Sequence, residues 1–267
     1  MSFMKRLDQA RSAFAKKDLD ASQAAHQPDV IAQSIEQHGG ASHQYIGDMV
    51  YGGLDGIVTT FAIVSGVAGA RLGSDVIMIL GLANLLADGM SMAAGAYLST
   101  KSEREYYDRE REREAWEVEH FPDGERAEML EIYKAKGYSP EDAESLVRIQ
   151  SQNKELWVDT MMVHELGLLP DERTPNRSAL ATLGSFLAAG SVPLLAYLAG
   201  LVLPITPDVA FATSMILSAT ALFGLGAAKV LITERDWFRS GLEMLLVGGL
   251  AAGVAYLVGF LLAGLGA

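Results

Sequence analysis

Five stretches of this chain, residues 45–70, 75–98, 179–203, 209–232 and 241–264, are each apolar over the ~20 helical residues needed to cross a hydrocarbon core of ~30 Å. Backbone in lipid must satisfy its own hydrogen bonds, so such segments are expected as helices and the chain as an all-α polytopic membrane protein. The connections 71–74, 204–207 and 233–240 are short, so the helices they join must run antiparallel. Orientation follows from Lys and Arg, which are retained on the cytoplasmic side. The N-terminal arm carries five and the segment between the second and third spans twelve, against one in the first turn and none in 204–207. Both basic-rich segments are therefore expected in the cytoplasm, and five crossings leave the C-terminus outside.

Charge is segregated. The whole chain is 50% hydrophobic, yet it holds 33 acids and 21 bases for a net −12. Residues 99–177 alone hold 20 of those acids and 12 of the bases, a net −8. The expected organisation is an N-terminal cytoplasmic arm (1–44), two membrane helices (45–98), an acidic cytoplasmic domain (99–177) and three further membrane helices (178–267). An acidic surface offers no basic stripe for phosphates, which argues against nucleic acid and in favour of cations. The chain has no cysteine, so any metal must be held by oxygen, nitrogen or thioether. The arm lacks the apolar core of a signal peptide. Its stripe of Phe3, Leu7, Ala10 and Phe14 fits either a membrane-surface helix or a partly ordered polar arm.

The acidic segment reads as three helices. Residues 99–120 extend the second membrane helix with alternating Glu and Arg that pair at i,i+4. Phe121-Pro122-Asp123-Gly124 breaks it, and 125–136 forms a short helix ended by Gly137. Ser139-Pro140-Glu141-Asp142 then supplies the N-cap, first-turn proline and first-turn acids of a third helix, expected to run to Glu165 and stop at Gly167. In the last three spans, small residues such as Gly249-x-x-x-Gly253 are expected to serve close helix packing.

The first two spans differ from the others in carrying acids. Asp48 and Asp55 lie seven residues apart on one helical face, and Asp88 lies four residues before Met92. A carboxylate at a helix centre costs ~2.5–3.5 kcal/mol on insertion scales and by default marks an ion route. Gly52, Gly53 and Gly56 around Asp55 allow either close backbone approach or irregular backbone lining a cavity. Met92 is either a packing residue or a soft ligand that suits a transition metal better than Na⁺ or Ca²⁺.

In the acidic segment, Glu114-x-x-Glu117 and Glu125-x-x-Glu128 each place two carboxylates one turn apart, and the turn between them folds one pair towards the other. Met161, Met162 and Glu165 share a face of the third helix. An ordinary solvated face and an oxygen-rich Fe²⁺ or Mn²⁺ site both fit this spacing. Glu117-x-x-His120 lacks the second copy that a di-iron centre needs. No nucleophile elbow, phosphate loop or zinc motif is present, so nothing supports hydrolytic or nucleotide-driven chemistry and any transport must run on a gradient.

Tyr51-Gly52-Gly53-Leu54-Asp55-Gly56, followed by Thr59-Thr60-Phe61-Ala62 and then by 81–95 with its Asp88-Gly89-Met90-Ser91-Met92-Ala93 core, resembles the vacuolar iron transporter family from about Tyr45 to the C-terminus. The resemblance implies a homodimeric five-helix exporter, not an enzyme, that exchanges cytosolic Fe²⁺, sometimes Mn²⁺, for protons and holds no prosthetic group. It places Asp55 and Met92 on the translocation path and assigns metal capture to Glu114, Glu117, Glu125, Glu128, Met161, Met162 and Glu165. Many relatives read Gly-Glu-Tyr where this chain has Gly95-Ala96-Tyr97, which bears on any extra cation or proton relay at the cytoplasmic mouth. The short loops and absent targeting signal fit a prokaryotic inner membrane. A Mn²⁺-specific exporter and a membrane-anchored iron-binding or sensing protein without flux remain alternatives.

Overall fold

The computed structural model describes residues 10, 12–28, 44–228 and 236–264. Two compact units divide at Gln44. In the N-terminal unit, helix α1 (Leu19–Ala25) is capped by Asp18, whose carboxylate accepts the Ala21 N–H. Phe3 and Leu7 of the apolar stripe lie outside the described residues. Phe14 is exposed, with the Lys17 ammonium over its ring.

All regular structure among the described residues of the second unit is helical, and five of its helical stretches are long and apolar enough to cross a membrane. They are α2 (Ile46–Gly69), α3 (Ser74–His120), α7 (Pro175–Gly190) continued through a 3-10 turn (Val192–Leu194) into α8 (Leu195–Gly200), α9 (Pro207–Ala228) and α10 (Trp237–Leu262). The third span is thus jogged rather than straight. Pro193 lacks the N–H that a continuous helix requires, and the Ser214 hydroxyl donates to the Pro193 carbonyl at 2.6 Å, satisfying backbone that the jog would orphan. The end of the expected fourth span, and Arg235 in the turn after it, lie outside the described residues.

Helix α2 sits at the centre, packed on α3, α7, α9 and α10. Its glycines explain that position. A Cβ on Gly56 would stand 2.5 Å from the Phe186 carbonyl oxygen, so only a glycine lets α7 approach this closely. Close approach, rather than irregular backbone, is therefore what these glycines provide. Gly249 and Gly253 behave otherwise: a Cβ on either meets nothing within 4 Å, so within this chain the pair packs on no neighbour.

Helix α3 runs unbroken for 47 residues, leaving the membrane bundle as a charged rod. Pro122 occupies the first turn of α4 (Pro122–Ala135), which ends at Gly137 with φ +93. Ser139 caps α5 (Pro140–Gln150), its hydroxyl accepting the Asp142 N–H. The helix expected from 139 to 165 is in fact two. Asn153 accepts the N–H groups of Glu155 and Leu156 and so starts α6 (Lys154–His164) afresh. An asparagine that can cap competes with helix continuation, and the break turns α6 so that Trp157, Val158, Met161 and Met162 join Val118, Met129 and Tyr133 in one core. The insert is therefore the α3 rod plus three short helices, not three helices in all.

Candidate metal centre and membrane path

Three of the seven acidic-segment residues singled out by sequence converge. One carboxylate oxygen each from Glu114, Glu125 and Glu165 lies within 4.8 Å of the other two. Ligand oxygens on opposite sides of one ion at ~2.0–2.2 Å stand up to ~4.4 Å apart, so a small inward movement suffices to grip a divalent cation. Each helix delivers its residue for a local reason. Glu114 faces inward one turn before buried Val118 on α3. The Phe121-Pro122 corner reverses the chain and brings Glu125, in the first turn of α4, back over it. Glu165 is the C-cap of α6, where the helix dipole disfavours an anion.

Burial disfavours the charged forms of two members, Glu114 and Glu125, while Glu165 is exposed. Glu114 is 0% and Glu125 5% exposed, and Oε2 of each is buried without a hydrogen-bond partner. Burial first, and then the charge of neighbouring Glu165, pushes the Glu114 carboxyl up to about 7 against the pull of Arg113. Burial and the charge of Glu114 push Glu125 to about 7 as well. Burial and Glu128 raise Glu165. Such carboxyls hold protons near neutrality unless a cation replaces them.

The remaining four residues take other positions. Arg113 donates to Glu114 at 2.7 Å and to Glu117 at 2.5 Å, so Glu117 is held beside the triad by a guanidinium. Glu128 is exposed and contributes field to all three acids. Met161 and Met162 are completely buried in the insert's core, on the α6 face that ends in Glu165. His120 turns away, its Nδ1 on the Trp116 carbonyl and its ring stacked on the Trp116 indole.

In the membrane bundle, a cavity of about 350 Å³ opens where α3 leaves it, lined by Asp48, Tyr51, Met92, Ala96, Thr100 and Arg173 among others. Asp48 and Met92 thus face one space. Ala96 lines it too. Asp55 lies seven residues along α2 from Asp48, ~10 Å deeper, and Asp88 lies ~6 Å deeper than Met92. Asp88 is close enough to Asp55 for its charge to act there. Both are half-buried, and among the described residues neither carboxylate has a hydrogen-bond or ion-pair partner.

Arg173 was not singled out by sequence. It spans the cavity mouth, 2.8 Å from Asp171, 2.9 Å from Glu103 on the α3 rod and 3.8 Å from Asp48 on α2. Burial alone would raise Asp171, but its hydrogen bonds from Arg173 outweigh that and leave its carboxyl lowered. The available signal was a lone guanidinium within the loop that re-enters the membrane, flanked by Asp171 and Glu172.

Fold and site together define a polytopic membrane protein whose helical insert carries two buried carboxylates beside a third, exposed one. The VIT family profile matches residues 46–260, and the chain belongs to that family. A vacuolar iron transporter of Toxoplasma gondii is 40% identical over 266 residues, covering 96% of this chain and 88% of that protein. One of Plasmodium falciparum is 34% identical over 97% of each chain. Vacuolar iron transporter 1 of Arabidopsis thaliana is 33% identical over 80% of this chain and 84% of its own length. These relatives are eukaryotic, so the prokaryotic membrane expected from the short loops finds no support among them.

Proposed function

We propose that this protein moves Fe²⁺ out of the cytosol, with Mn²⁺ as a second substrate, in exchange for protons. The observation that carries the reading is the carboxylate cluster: buried Glu114 and Glu125, each with one oxygen lacking a hydrogen-bond partner, stand beside exposed Glu165, an arrangement that protonation or a bound cation relieves. The names of the relatives support iron as that cation. In this reading the insert faces the cytosol and Glu114, Glu125 and Glu165 form the capture site. Glu117 and Glu128 add attracting charge, and Met161 and Met162 bias the site towards transition metals over Mg²⁺.

From there the ion enters the cavity of Asp48 and Met92 and descends to Asp55 and Asp88. Arg173 holds Asp48 at the mouth until the ion competes for it. Metal and proton compete for the deeper carboxylates, and that competition couples outward metal flux to inward proton flux. Two half-exposed, unpartnered acids at this depth are incompatible with lipid contact. A second copy of the chain packed on this face would enclose them, which supports a homodimeric path.

The test is flux of Fe²⁺, Mn²⁺, Co²⁺ and Zn²⁺ into proteoliposomes under an imposed pH gradient. Fe²⁺ and Mn²⁺ should move and dissipate the gradient. Metal binding without flux of any of the four would replace this reading with that of an anchored metal-binding protein.

A further inference from the structure

At the end of the bundle away from the insert, a cavity of about 400 Å³ is bounded by the 71–74 turn, the end of the third span and the start of α9. Its chemistry is mixed. Tyr197 lines it, is only 4% exposed, and its hydroxyl is buried without a hydrogen-bond partner. Such a group awaits an acceptor or donor from outside the chain. Arg71 also lines the cavity, from a left-handed backbone position (φ +58) just past the end of α2, where glycine is the usual residue. Asp208, in the first turn of α9, completes the polar wall. Among the described residues, Arg71 and Asp208 form ion pairs neither with each other nor with any other group. The cavity therefore presents a cation and an anion without ion-pair partners, and the hydroxyls of Tyr197, Ser74 and Tyr256 also belong to its lining.

A second cavity, about 380 Å³ and almost wholly apolar, continues from the first and shares Phe211 and Tyr256 with it. These two rings stack at 6.1 Å and form the common wall. The groove runs along α9 from Phe211 to Leu222, eleven residues or ~16 Å, about half of a ~30 Å hydrocarbon core and so the depth of one leaflet. Gly249 and Gly253 line it, and since a Cβ on either meets nothing within 4 Å, the space beside them is unfilled by protein.

We propose that this pair of cavities binds one membrane phospholipid with a primary-amine head. The phosphodiester accepts from Arg71 and the Tyr197 hydroxyl, the ammonium donates to Asp208, and one acyl chain fills the groove past Gly253 and Gly249. The juxtaposed opposite charges select a zwitterion over an anionic head, and the ammonium's N–H donors select ethanolamine over choline. A helix from a second copy would fill the apolar groove but leave the polar cavity unsatisfied.

The test is native mass spectrometry of the delipidated full chain, titrated with dioleoyl phosphatidylethanolamine, phosphatidylcholine, phosphatidylglycerol and diacylglycerol. One phosphatidylethanolamine should bind per chain at least tenfold more tightly than the others. Arg71→Gly places the residue suited to that backbone position, so it should fold and lose the head-group preference. Gly249→Leu with Gly253→Leu should fill the groove and abolish binding of all four. Unchanged phosphatidylethanolamine affinity in either variant overturns the proposal, as does equal binding of phosphatidylglycerol or diacylglycerol by the wild-type chain. A groove variant that changes only the oligomeric state assigns the groove to a second copy and overturns it too. Should the groove variant fail to fold, Arg71→Gly and Asp208→Asn decide the matter alone.

Discussion

The two groups of carboxylates in this protein are built in opposite ways. In the insert, Glu114 and Glu125 are sealed inside one chain, with Glu165 closing the third side. In the membrane, Asp55 and Asp88 are half exposed and partnerless, and Asp48 is already claimed by Arg173. The first arrangement is assembled within a single chain from three helices. The second is a face that needs covering. A site that must capture an ion from dilute solution is preorganised, whereas a route that must release the ion leaves its acids loosely held.

The largest effect that would sharpen this contrast is expected from Asp55→Asn, which removes the carboxylate proposed to exchange protons for metal. Proton-coupled metal flux in proteoliposomes should fall by at least ~100-fold while metal binding to the insert, read by calorimetry, is unchanged. Full pH-dependent flux in this variant would break the comparison. Next, Glu114→Gln with Glu125→Gln should weaken metal binding by ~10–100-fold. The same variant should raise the thermal midpoint of the metal-free protein at pH 8, because it removes buried like charge. A fall in that midpoint would mean the acids are stabilised by something other than metal.

The pH dependence is the third and smaller effect. Because Glu114 and Glu125 are raised to about 7 from an ordinary value near 4.5, the folded state binds more protons than the unfolded state in between. Their contribution to stability is thus fully present in acid below about 4.5 and is lost as pH rises to about 7. Metal displaces those protons, so its apparent affinity should drop by ~10-fold from pH 7 to pH 6, accompanied by proton release in calorimetry. A pH-independent affinity over this range would contradict metal binding at buried Glu114 and Glu125. The smallest effect is expected from Arg173→Gln, which frees Asp48 without touching the triad. It should change the KM for flux by ~3–10-fold with little change in binding at the insert, and an unaltered KM would remove Arg173 from the mouth.

Much of this was legible in the sequence because its cause is local. Span length, the Pro122 corner and the Glu-x-x-Glu spacing each act within a few residues, and the triad of Glu114, Glu125 and Glu165 follows from three such signals meeting. What escaped depends on tertiary context. The break at Asn153 arises because capping competes with continuation and the core rewards the turn. The jog at Pro193 needs Ser214 from another span to be tolerable. Arg173 acts through acids distant in sequence, and Gly249 and Gly253 look the same in sequence whether a helix or an open groove lies beside them.

The unbroken α3 helix sets a distance that neither site reveals alone. Glu114 and Thr100, which lines the cavity mouth, stand on the same rod, 14 residues apart, so ~21 Å of axis separates the cluster from the cavity. No side-chain swing bridges that gap, and an ion cannot be handed directly from one to the other. An ion released from the insert but retained by its acidic field within that radius is at an effective concentration on the order of 40 mM at the cavity mouth. Under the proposed function the insert would work as a tethered reservoir, with the rod's length setting the dose at the cavity whatever the concentration in bulk.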